Sequence, residues 1–314
     1  MPAADAPGPV VRYSFDTYLR FAFAGAVCCS VTHTSVVPLD VVKTRLQTNP
    51  GKYKGMFDGF KKITAEEGAS MLLKGAGPTA VGYFLQGAFK FGFNEFFKGK
   101  FMEAAGPENG KTYRLPIWLG ASACAEFIAD IFLCPLEATR IRLVAQPDFG
   151  KGLVDAFAKI VRQEGFGALY KGLSPLLLKQ VPYTMAKFSV FEATSELVYK
   201  SLPTKKADMS TGAQLTVSLG SGVVAGVAAA IISQPADTLL SKINQEKSNE
   251  GFIPTLIKIS KRLGASGLFL GTGARCVMVG TITAGQFFIY DYFKIIMGVS
   301  PQQLKDKAAA AAKQ

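Results

Sequence analysis

Long apolar stretches alternate with short amphipathic ones along this chain, and the alternation comes in threes. Residues 215–233 hold no charged side chain, a length roughly sufficient for a helix to cross a bilayer core. Residues 18–37 and 115–134 are similar, but His33, Glu126 and Asp130 interrupt them. After each comes a short stretch of helical periodicity, at 56–66, 152–163 and 252–262. A second apolar stretch follows each of these, at 76–97, 173–196 and 272–295. The unit is span, surface helix, span. Three units predict six membrane-crossing helices with both chain ends on one side.

A motif marks the end of each odd-numbered span. The three copies run Pro38-Leu39-Asp40-Val41-Val42-Lys43, Pro135-Leu136-Glu137-Ala138-Thr139-Arg140 and Pro235-Ala236-Asp237-Thr238-Leu239-Leu240. Their prolines stand 97 and then 100 residues apart. A proline that bends a helix, followed by charges at the edge of an apolar span, is costly in each copy. Its repetition predicts a working part. Downstream lie Glu67-Gly68 and Glu164-Gly165, with Leu263-Gly264 in the third unit, then Lys74-Gly75 and Lys171-Gly172, with Leu270-Gly271. Small residues recur thirteen positions before the prolines, at Gly25, Ser122 and Gly222, where they let helices approach closely in lipid. The run Gly220-Ser221-Gly222-Val223-Val224-Ala225 imitates a dinucleotide fingerprint, but it lies inside an apolar helix instead of opening one.

Composition changes little in this picture. The 314 residues are 49% apolar and 18% charged, the balance of a helical membrane protein. A net charge of +12 calls for an anionic partner. Because the bases cluster just beyond apolar spans, that partner is expected to be anionic lipid and an anionic solute, not nucleic acid. The five cysteines all sit in apolar segments without metal-ligand or disulfide spacing, as packing residues. Nothing has the arrangement of an enzyme active site. Residues 1–15 and 301–314 are expected to be flexible ends, without a cleavable targeting peptide. Between them, 16–110, 111–208 and 209–300 form the three repeats.

The triplicate motif, the acid-Gly and base-Gly pairs and the step of about 100 residues resemble the mitochondrial carrier family, over residues 16–297. Segments such as Thr32-His33-Thr34, Gln86 to Phe91, Ala125 to Asp130 and Ser233 to Lys242 resemble its phosphate-carrying branch, of fungal type. The resemblance implies an all-α membrane protein of the mitochondrial inner membrane, termini toward the intermembrane space. It implies six helices in three pseudosymmetric pairs around a central cavity, with short surface helices on the matrix side. It also implies a monomer with cardiolipin as bound lipid and no cofactor or metal, a symporter and not an enzyme. The matrix gate would be a ring of ion pairs, Asp40 with Arg140 and Asp237 with Lys43, while Glu137 would face Leu240 without a base. Gln47 matches the family's bracing glutamine. The cytosolic gate would use Glu95, Glu192 and Asp291 with Lys98 and Lys294, and Ser195 would replace the third base.

Where the repeats disagree, specific chemistry is expected. Counting seven and eleven residues back from the motif acids places His33, Glu126 and Asp130 on the faces of Asp40 and Glu137. Titratable groups at membrane depth mark function, and these three form the expected proton-coupling group. On the even spans, positions seven, eleven and fifteen after Gly75, Gly172 and Gly271 yield Gln86 and Lys90, then Lys179, Tyr183 and Lys187, then Gln286. The resemblance adds Gln180 beside Lys179, and Arg275. Lysines with amide and phenol donors suit a small oxyanion rich in acceptors. The expected function is movement of inorganic phosphate into the matrix with a proton, or in exchange for hydroxide, by alternating access. Alternatives are a carrier of another small anion (dicarboxylate, sulfate) or of copper, or a non-transporting adaptor on the same fold.

Overall fold

A computed structural model describes residues 13–48, 51–203, 209–245, 252–269 and 272–299. The expected ends, 1–15 and 301–314, lie outside these apart from Tyr13, Ser14 and Phe15. The described chain is built of helices: α1 (Phe15–Ser35), α2 (Val37–Thr48), α3 (Met56–Glu67), α4 (Ala76–Thr112), α5 (Arg114–Ala145), α6 (Leu153–Glu164), α7 (Leu173–Ser201), α8 (Thr211–Gln245), α9 (Phe252–Leu268) and α10 (Thr272–Ile296). Ser14 caps the first, its hydroxyl accepting from the Thr17 amide at 3.3 Å. Short 3₁₀ turns at Ala69–Leu73 and Phe166–Tyr170 join the surface helices α3 and α6 to the spans that follow.

The three prolines act differently from one another. Pro38 stands in the first turn of α2, and the chain bends by 56° between α1 and α2. Pro135 and Pro235 lie inside α5 and α8, which continue through them. The glycines of the acid-Gly pairs have a conformational reason that outlasts the acid. Gly68, Gly165 and Gly264 take φ of 89°, 84° and 62°, a region open to glycine and strained for other residues. The third repeat therefore keeps its glycine although Leu263 replaces the acid. Glu67 and Glu164 hold Arg45 at 2.8 Å and Arg142 at 2.5 Å, a tether that Leu263 cannot make.

The spans close into a ring, with α1 on α4, α4 on α5, α5 on α7, α7 on α8, α8 on α10 and α10 back on α1. Two of these crossings depend on missing side chains. A Cβ on Gly25 would stand 2.5 Å from the Gly87 carbonyl oxygen, and one on Gly226 2.7 Å from the Gly280 Cα. In the second repeat Ser122 and Glu126 occupy the positions of Gly25 and Cys29, and the α4–α5 side of the ring receives the acid. By length and apolarity only α5 and α8 qualify as membrane spans among the described residues, with α1 and α2 if the bent pair counts as one. The second span of each repeat, α4, α7 and α10, falls short because it carries polar side chains toward the centre. One expectation is corrected. α4 runs to Thr112, well beyond residue 97, through a break at Gly106 with φ of 76°.

Candidate functional site

Two helices meet at the centre of the ring through pairs one turn apart. α4 supplies Gln86 and Lys90, and α5 supplies Glu126 and Asp130; residues four apart share a helix face. Lys90 Nζ lies 2.9 Å from Glu126 Oε2. The Gln86 amide nitrogen donates to Glu126 Oε1 at 2.9 Å and to Asp130 Oδ1 at 3.3 Å. All four side chains are buried, the two acids with 0% exposure. Asp130 Oδ2 has no hydrogen-bond partner among the described residues. Charges so far from water persist only when paired or neutralised.

Across the ring, Lys187 is held differently. It occupies in α7 the repeat position of Lys90 and is 1% exposed. Its ammonium donates to Gln286 Oε1 at 3.1 Å. It also lies over the rings of Tyr183 and Phe188, each 5.3 Å from the centroid, and Phe91 at 5.9 Å. Ring faces attract a cation without neutralising it. No carboxylate pairs with Lys187 among the described residues. Tyr183 reaches α10 through a 3.3 Å contact with Thr283 Oγ1, and Gln180 is buried nearby on α7.

An aromatic layer borders this centre. Phe91, Phe188 and Phe287 each stand four residues before Glu95, Glu192 and Asp291. Their rings meet edge to face in all three combinations, at 5.0, 6.2 and 5.7 Å, an arrangement aromatic quadrupoles favour. The repeat offset that identified the acids would also have found this triplet. Beyond the layer comes the acid ring. Lys98 bonds Glu95 of its own helix at 3.1 Å and Glu192 of α7. Lys294 bonds Asp291 at 3.4 Å. Ser195, in place of the third base, has a hydroxyl without a partner among the described residues, while Asp291 accepts a bond from Ser218 of α8. Tyr13, ahead of α1, packs edge to face on Phe21 at 5.2 Å. Burial, then the Glu95 carboxylate, push its phenol up to about 12.

At the proline end, Arg140 joins two acids, Asp40 at 3.4 Å and Glu137 at 2.6 Å. Glu137 is therefore partnered on its own helix, and not left facing Leu240 alone. The pair expected between Asp237 and Lys43 is replaced. Asp237 is held by Arg275 at 2.9 Å and Lys179 at 3.5 Å. Arg275 reaches it while also donating to Ser233 Oγ at 2.9 Å; its guanidinium can bond several acceptors at once. The expected proton group also divides. His33 stacks on Tyr83, with ring centroids 3.6 Å apart at 8°, and is not hydrogen-bonded to Glu126 or Asp130. The side chain of Gln47 lies outside the described residues.

The triple repeat is mirrored in known proteins. The family description for mitochondrial carrier proteins matches residues 15–105, 112–202 and 212–300. The chain is 61% identical over 287 residues to mitochondrial substrate carrier family protein N of Dictyostelium discoideum, covering 90% of this chain and 96% of that one. It is 44% identical over 316 residues to the mitochondrial phosphate carrier protein of Caenorhabditis elegans, covering 98% and 92%. With a probable mitochondrial phosphate carrier protein of Schizosaccharomyces pombe the identity is 43% over 300 residues, covering 95% and 96%. Three matched repeats and full-length relatives agree with the closed six-span ring: this chain belongs to the mitochondrial carrier family.

Proposed function

We propose that this protein transports inorganic phosphate across the mitochondrial inner membrane together with a proton. The named phosphate carriers of Caenorhabditis elegans and Schizosaccharomyces pombe support the substrate. The observation that carries the coupling is the charge balance of the buried centre. Two buried cations, Lys90 and Lys187, stand against two buried acids, Glu126 and Asp130, and in this reading they balance when the centre is empty. Dihydrogen phosphate entering alone would leave one surplus negative charge, and a proton alone one surplus positive charge. Entering together they restore neutrality. A surplus charge in an enclosed, dry centre costs several kcal/mol by order of magnitude, so the loaded and empty forms reorient while half-loaded forms are held back.

In this reading the anion binds Lys187, the centre's cation without a carboxylate, with Gln286 and Tyr183 as neighbours. Lys179, Gln180 and Arg275 extend the path toward the proline end. The proton is carried by Glu126 and Asp130. His33, stacked on Tyr83, lines the path apart from that pair. The two charged rings and the phenylalanine layer serve as gates on either side. A cleft of about 240 Å³ lined by Lys74, Gly75, Lys151 and Gly152 sets two lysines beside the N-termini of α4 and α6, suiting the phosphates of a lipid such as cardiolipin.

Vesicle reconstitution tests the proposal. Wild-type protein should show saturable phosphate uptake that accelerates with an inwardly directed proton gradient and is poorly inhibited by sulfate or dicarboxylates. Asp130→Asn should abolish the gradient dependence. Full gradient-driven uptake in that variant would overturn the proton route. Absence of saturable uptake by the wild type would overturn the substrate.

A further inference from the structure

We infer that Gln86 is the positioning residue of the buried acid pair: its carboxamide joins Glu126 to Asp130 and selects which of the two takes the proton. The inference rests on the reading that this pair carries the transported proton. Gln86 stands on the face expected to contact the substrate, yet its amide nitrogen is committed to the acids. One NH₂ group has two donors; one serves Glu126 at 2.9 Å and the other Asp130 at 3.3 Å.

The two acids are unequal as a result. Glu126 has an ammonium on one oxygen and the shorter amide bond on the other. The nearby cation and the amide donor both favour the charged form. Asp130 has the longer amide bond and no ammonium beside it, and its buried Oδ2 has no hydrogen-bond partner among the described residues. A proton is therefore directed to Asp130 while Glu126 stays ionised against Lys90. Facing the pair from other helices are Cys29 of α1, and Lys90 and Tyr83 of α4, with Cys134 on α5 itself. Lys187 of α7 is within electrostatic reach of the same Cys29. Of these, Lys90 is the cation that touches an acid, and it touches Glu126 alone.

The selection belongs to the first repeat. At the position of Gln86 the second and third repeats carry Tyr183 and Ile282, and neither can donate two bonds to a carboxyl pair. Losing the Gln86 donors would remove support from both ionised acids, and the pair would hold its proton more firmly. Phosphate/phosphate exchange, in which the carrier returns loaded, would suffer less than net uptake, in which the proton must be released.

Gln86→Met, which keeps length and removes both donors, tests this in vesicles with phosphate as the probe. Exchange would be measured across a series of pH values equal on both sides, and net uptake with an imposed gradient. The expected result is about a threefold loss of exchange at its best pH and about a tenfold or greater loss of net uptake. The alkaline fall of the exchange profile should also move up by about one pH unit, the scale of a lost hydrogen bond to a charged group. An unmoved profile, or equal losses of exchange and net uptake at every pH, would overturn the inference. Should the methionine variant fail to insert, Gln86→Asn, whose amide is one methylene short, should move the profile in the same direction by less, and an unmoved profile there has the same meaning. If the wild type shows no gradient-driven uptake, the proton reading falls and takes this inference with it. If the wild type is driven and Asp130→Asn is not, while Gln86→Met keeps the wild-type profile, only the inference about Gln86 fails.

Discussion

Lys90 and Lys187 stand at the same position of consecutive repeats, and both are fully buried, yet their surroundings are opposite. Lys90 has a carboxylate at 2.9 Å. Lys187 has an amide oxygen and three aromatic rings. A buried ion pair is complete in itself, whereas a cation in an aromatic cage is stabilised without being neutralised. The first lysine thus belongs to the acid pair, and the second has no carboxylate partner among the described residues. Pseudosymmetry positions both lysines; the break in symmetry at Glu126, where the other repeats have Cys29 and Gly226, assigns them different roles.

The strongest way to break this comparison is Lys90→Met. It leaves Glu126 and Asp130 without a cation, and should lower stability by about 3–5 kcal/mol, as for an orphaned buried charge. Thermal unfolding in detergent would measure it, and the double variant Lys90→Met/Glu126→Gln should recover much of the loss. Lys187→Met should act on the substrate more than on the fold. Phosphate binding should weaken by about 2–5 kcal/mol, the range for truncating one member of a buried charged contact, as read from phosphate protection against unfolding. A loss of stability as large as that of Lys90→Met, with binding intact, would reverse the two roles. The comparison sharpens further at the proline end. Arg275→Met should destabilise the closed proline-end gate by about 1.5–3 kcal/mol, the worth of a hydrogen bond to a charged group, and Lys43→Met by clearly less. Equal effects on transport and thermal stability would restore Lys43 as the partner of Asp237.

Much of the molecule was legible before its structure. Six spans and three surface helices follow from apolar period, from prolines at the ends of odd spans and from glycines whose positive φ other residues resist. The inward residues followed from counting along a helix, because a period of 3.6 residues fixes which side chains share a face. Reach and partner did not follow. Asp237 was expected to bond Lys43 from a family pattern, but the guanidinium of Arg275 and the ammonium of Lys179 arrive there instead. His33 shares a face with Asp40, yet its ring meets Tyr83 of a neighbouring helix. Gln86 looked like a substrate donor, and its donors are spent on α5.

The sequence alone determined the family, the number of spans, the repeat and most of the side chains that the structure buries between helices, since these depend on local periodicity and on recurrent proline and glycine positions. Tertiary structure alone decided how the inward charges are distributed, with Lys90 closed on Glu126, Lys187 left to aromatic faces, and one amide spanning two acids. Pairing between helices depends on crossing distance and side-chain direction, set at contacts such as Gly25 against Gly87. No count along a single helix contains those distances.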